Sequence, residues 1–231
     1  MREYLKEKPF YLNDEQLSFV EQTIENMSLD DKIGQLFLPI NFIEEEQPLR
    51  EFVRKFQPGG ALNRPAPGAL NQNRHRIMQE ESKIPMFIPA NIESGGNGTA
   101  VEGTAFGNPL QVAATGDTKY AYELGKIAGK EGRAVGINYA FAPIIDIDYN
   151  TLNPITNTRT FGNDPEVVYE MASAYIDGLM EDGKAKEEPP AVCSCTAKCE
   201  AGAVNTACPV CVTDKSKCTG KAPEPPAETP E

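Results

Sequence analysis

Apolar and polar positions alternate along the first 183 residues with two periods, and the switches between them mark the elements. Asn13 or Asp14 begins a helix running to about Met27, with Leu17, Val20 and Ile24 on one stripe. Ser28 is a second N-cap: Asp30 and Asp31 sit in its first turn, and Ile33, Leu36 and Phe37 follow at helical spacing. The run LFLPI either continues as a strand or ends that helix, and periodicity does not decide. Pro48 to Phe56 reads as a helix stopped by Pro58-Gly59-Gly60, and Gly60 to Asn63 as a short strand. Pro67 to Glu81 is helical and polar, and it holds the only histidine, His75, whose neighbours Arg74 and Arg76 suggest a solvated surface. Pro85 to Ile92 is a buried strand. Asp117 to Val135 is a helix with Tyr120, Leu124, Ile127 and Ala128 on one side. The apolar run Tyr139 to Ile145 is a further buried strand, and Asn163-Asp164-Pro165 caps a last helix ending near Asp182. Strands alternating with helices in this way predict a parallel α/β sheet.

About four βα units fit into residues 1–183. A closed (β/α)8 barrel needs eight, in typically about 250 residues, so the pattern predicts a partial TIM-type barrel of about four units. Its strands would leave two exposed edges, which invite self-association.

Composition divides the chain into two modules, 1–183 and 184–231. All six cysteines lie between Cys193 and Cys218, and the segment from Lys184 onward has no Leu, Ile, Met or aromatic residue. Such a segment buries no apolar core, so cross-links or a metal must hold it, or it has no fixed fold. The formal charge is −12; the tail's seven acidic and six basic residues contribute −1, leaving −11 on the first module. An acidic domain of this kind argues against nucleic acid as a partner and suits a neutral substrate. No stretch approaches the roughly 20 apolar residues of a membrane span. The charged start MREYLKEKPFYLNDEQ lacks the apolar core of a signal peptide, which predicts a cytoplasmic location, although a cysteine-rich tail would suit an extracellular one.

Candidate chemistry concentrates where strands end. Gly136 to Glu166, GINYAFAPIIDIDYNTLNPITNTRTFGNDPE, runs from a strand into an acidic, Asn/Pro-rich loop and an Arg-containing turn. Polar groups then sit at the carboxyl end of a parallel strand, where α/β enzymes build their sites. Asp146 and Asp148, i and i+2 on a strand, would have Cα atoms about 6.6 Å apart and could share a site. The plainer reading is that they bond loop amides and Arg159 or cap the next turn. The loop Glu93 to Gly107 has five glycines, which open backbone conformations closed to other residues. It is no phosphate loop, since no Lys-Ser/Thr follows. Glu44-Glu45-Glu46 reads as a solvated helix start.

Four segments resemble the amino-terminal barrel domain of family 3 glycoside hydrolases: MSLDDKIGQLF (27–37), FQPGGALN (56–63), IPMFIPANIESGGNG (84–98), and the run ending TRTFGNDPE (158–166). They span about 150 residues in the family's order. The resemblance implies hydrolysis of terminal β-linked glucose or N-acetylglucosamine with retention, through a covalent glycosyl-enzyme and two carboxyl-type groups about 5 Å apart in the usual arrangement. It implies that Arg159 binds sugar hydroxyls with its fixed guanidinium fork. Asn91 stands where most members have an Asp that grips two hydroxyls. The amide still accepts a hydrogen bond but lacks the charge-assisted one. Glu93 lies where the family's acid organises the glycine loop, and Asp146 and Asp148 fall among the loop organisers. The family's nucleophile, an Asp after the seventh strand, and its acid/base have no counterpart in the residues after Gly183. The resemblance therefore carries over no catalytic residue, and the expectation for this chain is an inactive site.

The tail spacing is C-x-C-x3-C-x8-C-x2-C-x6-C. Cys208 and Cys211 have zinc-knuckle spacing, and Cys195 with Cys199 would complete a metal site. Three disulfides fit equally well, and unstructured thiols are the third reading. The tail also resembles small cysteine-rich segments of bacterial surface and mobile-element proteins. The alternative function is thus a non-catalytic carbohydrate-binding or scaffold protein whose tail binds zinc or a partner.

Overall fold

A computed structural model describes residues 2–181. The cysteine tail, with Cys195, Cys199, Cys208 and Cys211, lies outside the described residues. A short 3-10 turn precedes helices α1 (Asp14–Asn26) and α2 (Leu29–Gly34). Then β1 (Ile40–Asn41), α3 (Glu46–Phe56), β2 (Leu62–Asn63), α4 (Gly68–Glu81) and β3 (Pro89–Ala90) alternate. Helices α5 (Pro109–Ala113) and α6 (Thr118–Ala134) lead to β4 (Tyr139–Ala140), and α7 (Pro165–Leu179) follows.

Local sequence sets most helix starts. Asn13 and Ser28 both make capping boxes, accepting from the N3 backbone N–H while the N3 side chain accepts from their own. Asp117 and Asp164 cap α6 and α7, and Pro165 occupies the first helical position. Helix α3 ends differently. Gln57, at φ 42, takes the left-handed conformation usually left to glycine. Its buried side chain compensates: Nε2 donates to the Val53 and Glu81 carbonyls, and Oε1 accepts from the Lys83 backbone N–H at 2.7 Å. One amide thus fastens the end of α3 to the end of α4.

The strands are parallel and follow chain order. Ile40 pairs with Leu62 and Asn41 with Asn63; Pro89 pairs with Tyr139 and Ala90 with Ala140. A parallel bridge between Gly60 and Phe87 joins the two pairs. Side-chain amides extend this short ladder. Asn138 Oδ1 accepts from the Ile88 N–H (2.7 Å) while its Nδ2 donates to the Met86 carbonyl (2.9 Å). Gln79 of α4 does the same for both backbone groups of Met86. One face of the sheet packs on the helices, burying Ala61, Ile88, Ala90 and Ile92 with Leu49, Val53, Ile77, Met78, Leu124 and Tyr175.

Helices α6 and α7 touch through glycine. A Cβ on Gly125 would lie 2.0 Å from the Tyr175 carbonyl oxygen, and one on Gly178 2.0 Å from that of Tyr122. Only hydrogen fits at either crossing point.

Four sequence expectations change. His75 is 2% exposed rather than on the surface. It faces the α6–β4 turn, where Nδ1 meets the Val135 carbonyl at 2.5 Å and a Cβ on Gly136 would stand 3.2 Å from His75 Cβ. The Tyr139–Ile145 run forms only a two-residue strand, and Tyr139, Phe141 and Ile145 are exposed, the first two because they lie on the sheet face away from the helices. Phe87 is exposed on that face too, with ring centroids 5.5 Å from Tyr139 and 5.2 Å on to Phe141. The Ser28 helix stops at Gly34, so Leu36 and Phe37 do not continue its stripe, and they and Ile33 are exposed. Tyr120 is exposed as well, while Leu124 and Ala128 are buried. Helix α5, capped by Asn108 with Pro109 next, lies between the glycine loop and the Asp117 helix, in a stretch to which the sequence reading assigns no element.

Candidate functional site

The carboxyl end of β3 brings together residues far apart in sequence. Beyond Ala90 the chain places Asn91, then buried Ile92, then Glu93, which is 8% exposed. Strand alternation sends Asn91 and Glu93 to one side and Ile92 to the helix side. Arg159 comes from a 3-10 turn (Asn157–Arg159) in the long connection between β4 and α7, and its Nη2 donates to Glu93 Oε1. The guanidinium remains 43% exposed while the carboxylate is nearly covered. This pair therefore anchors the cation from below and leaves its other N–H groups toward solvent, a fork suited to vicinal oxygens.

Tyr175 of α7 supports the site from beneath. Its hydroxyl donates to the Ile92 carbonyl at 2.8 Å. Burial first, and the Glu93 charge second, push its ionisation well above the usual tyrosine range, so it stays a neutral donor.

The glycine loop wraps the same strand end. Gly95 donates from its backbone to Ile92, and Phe106 to Ser94. A Cβ on Gly98 would stand 1.7 Å from the Asn91 carbonyl oxygen, so backbone packs directly on backbone there. From α6, Glu131 accepts from the backbone N–H and hydroxyl of Thr104 and closes the loop.

The structure brings Asn91, Glu93 and Arg159 to one strand end. The half-buried Asn91 amide makes no hydrogen bond to another described residue, and its acceptor oxygen is open to a ligand. Asp146 is exposed and Asp148 half-buried; Arg159 bonds Glu93 instead of either, and the Asp148 backbone N–H donates to Gly162.

Sequence reasoning missed two polar groups near the other strand ends. Asn41 Nδ2 donates to Asn63 Oδ1 at 2.8 Å, joining β1 to β2 on the helix side. The parallel endings Pro-Ile-Asn and Ala-Leu-Asn were the available signal. Arg74 of α4 is also buried, bonded to Asn71 and 3.4 Å from Glu44. Its position in a polar helix gave no such signal.

The profile of the glycosyl hydrolase family 3 N terminal domain matches residues 28–202. The chain belongs to that family. It is 37% identical over 177 residues to a "Beta-N-acetylglucosaminidase/beta-glucosidase" of Cellulomonas fimi, covering 77% of this chain and 31% of the relative. Among solved structures it is similar to "Beta-glucoside phosphorylase BglX bound to 2FGlc", at 41% identity and TM-score 0.74, covering 79% of this chain and 34% of that one. A family 3 β-N-acetylglucosaminidase from Paenibacillus sp. str. FPU-7 matches at 29% identity and TM-score 0.60, over 68% of this chain and 32% of its own. The chain thus spans about a third of the length of these relatives. Among the described residues, no helix is long and apolar enough to cross a membrane.

Proposed function

We propose that residues 1–183 form about four βα units of a (β/α)8 barrel and bind a terminal β-linked glucose or N-acetylglucosamine at the carboxyl end of β3. In this reading Asn91 and Arg159 contact the sugar, Glu93 holds Arg159, and Asp146 and Asp148 organise the neighbouring loop. The Glu93–Arg159 pair beside the free Asn91 amide is the observation that carries it. The β-linked sugar chemistry named for the Cellulomonas and Paenibacillus relatives supports the ligand class.

The chain as it stands supplies sugar binding without a nucleophile or acid/base, so it turns over no β-glycoside alone. The test is hydrolysis of 4-nitrophenyl β-glucoside and β-N-acetylglucosaminide by the 231-residue protein, with no turnover expected. Turnover abolished by Asp146→Asn or Asp148→Asn would overturn this and assign catalysis to those carboxylates.

A second reading concerns the acceptor. The 41% identical neighbour is named a phosphorylase, which favours transfer of the sugar to inorganic phosphate over transfer to water in the complete enzyme. Adding phosphate to the same assays separates the two. A carbohydrate-binding or scaffold role, with residues 184–231 holding zinc or disulfides, remains the alternative, and intact mass before and after reduction distinguishes those tails. The exposed sheet edges lead to self-association of the domain.

A further inference from the structure

Two helices hold the glycine loop, each by a different limb. The limb from Thr99 to Glu102 is fixed to α4: Asn71 Nδ2 donates to the Thr99 carbonyl at 2.8 Å, and Glu102 Oε1 accepts from the Gly68 N–H at 2.8 Å. The limb from Gly95 to Gly98 covers the end of β3, and its support comes from α6. There the half-buried Glu131 accepts from the Thr104 N–H through Oε2 (2.8 Å) and from the Thr104 hydroxyl through Oε1 (2.6 Å). The same carboxylate lies on Gly96, where a Cβ would stand 1.9 Å from Oε2. Thr104 transmits this hold. Its carbonyl accepts from the Asn97 N–H at 3.4 Å, and a Cβ on Gly95 would stand 2.2 Å from that oxygen.

Asn91 lies directly under this limb. On one side of it, the Ala90 carbonyl accepts from the Phe141 N–H at 2.9 Å. On the other, the Ile92 carbonyl accepts from the Tyr175 hydroxyl and the Gly95 N–H. Between these fixed points the Asn91 carbonyl accepts no hydrogen bond from another described residue, and the Gly98 backbone packs against it. Contact rather than bonding therefore sets the Asn91 peptide plane. The direction of the side chain follows, because the backbone angles select its rotamer.

We propose that Glu131 is a positioning residue for the sugar site: by holding the Gly95–Gly98 limb on the Asn91 carbonyl, it aims the Asn91 amide. The geometry stands on its own, and the ligand rests on the sugar-site reading above. A site group whose own conformation is fixed by packing and by a supporting shell of hydrogen bonds binds without first being ordered. Glu131 supplies that shell from a helix, which is a more rigid base than the loop itself.

Two-dimensional 1H–15N NMR of the full chain tests this, with the Asn91 side-chain NH2 signal assigned by its loss in Asn91→Asp. Glu131→Ala should shift or broaden that signal and weaken binding of glucose or N-acetylglucosamine about fivefold, the contribution of one hydrogen bond. Glu131→Gln should restore both, since its amide oxygen accepts from the Thr104 N–H and its NH2 donates to the Thr104 hydroxyl. Thr104→Ala, at an exposed loop position, should shift the signal the same way by less. Gln57→Ala, which loosens the α3–α4 junction ahead of β2, should leave it in place and so separates positioning from loss of stability. An Asn91 signal indifferent to Glu131→Ala, one that Glu131→Gln does not restore, or a sugar affinity unchanged by Glu131→Ala would overturn the positioning role. A signal that responds as expected in a protein whose wild type binds neither sugar would confirm that Glu131 positions Asn91 and overturn the sugar-site reading instead.

Discussion

Arg159 and Glu93, 66 residues apart, meet at the carboxyl end of β3, the carboxylate almost covered and the guanidinium still reaching solvent. Glu93 is thereby a positioning residue: its charge is satisfied by the cation it aims. Arg159→Ala leaves a buried carboxylate without its partner and should cost about 1–2 kcal/mol of stability, discounted for the guanidinium's exposure. Removing both, with Glu93→Gln, should recover part of that loss. Urea unfolding of the two single variants and the double variant checks this; additive losses would show that the pair is not coupled.

His75 makes stability fall in mild acid. Burial first, and the charge of Arg74 among the smaller effects, hold its ionisation below the ordinary value of 6.5, against a raising hydrogen bond to Val135. The unfolded chain therefore binds the proton more readily. Stability is full above about pH 6.5 and declines as pH falls toward the depressed native value, by at most about 1.4 kcal/mol per pH unit from this group. Unfolding free energies at pH 7.5 and 5.5 should differ more in the wild type than in His75→Leu, and an equal difference would contradict the assignment.

The α6–α7 crossing should tolerate no side chain. Gly125→Ala places a methyl 2.0 Å from a backbone oxygen that cannot move independently of α7. The expected loss is about 3 kcal/mol or more. Thermal melting measures it, and a change within experimental error would mean that the helices separate easily.

Gln57→Ala should destabilise by about 2 kcal/mol, since it removes the side-chain bonds to Val53, Glu81 and Lys83 while keeping the left-handed backbone. Gln57→Gly relaxes the backbone but loses the same bonds, and should fall between the two. If the glycine variant matched wild type, the amide would be doing little.

Much of this was legible locally. Asn13, Ser28, Asp117 and Asp164 each announce a helix because a cap acts on backbone groups two or three residues away. The alternation of strands with helices announced a parallel sheet, and motif resemblance picked out Asn91, Glu93 and Arg159 as candidates. What failed depends on long-range partners. His75 lies in a polar stretch, yet α4 buries it together with Asn71 and Arg74, because carbonyls and amides from distant segments meet them: Val135 for His75, Thr99 and Arg64 for Asn71. Conversely, Tyr139 and Phe141 look like core but face the open side of the sheet, since apolar composition does not say which face is covered. The Glu93–Arg159 bond had no local signature at all.

The most direct test of the sugar-site reading is calorimetric titration of the full chain with glucose and with N-acetylglucosamine. The account predicts measurable binding of at least one sugar that is lost in Arg159→Ala and weakened in Asn91→Ala. Binding that survives Arg159→Ala unchanged, or no binding of either sugar by a folded protein, would contradict it.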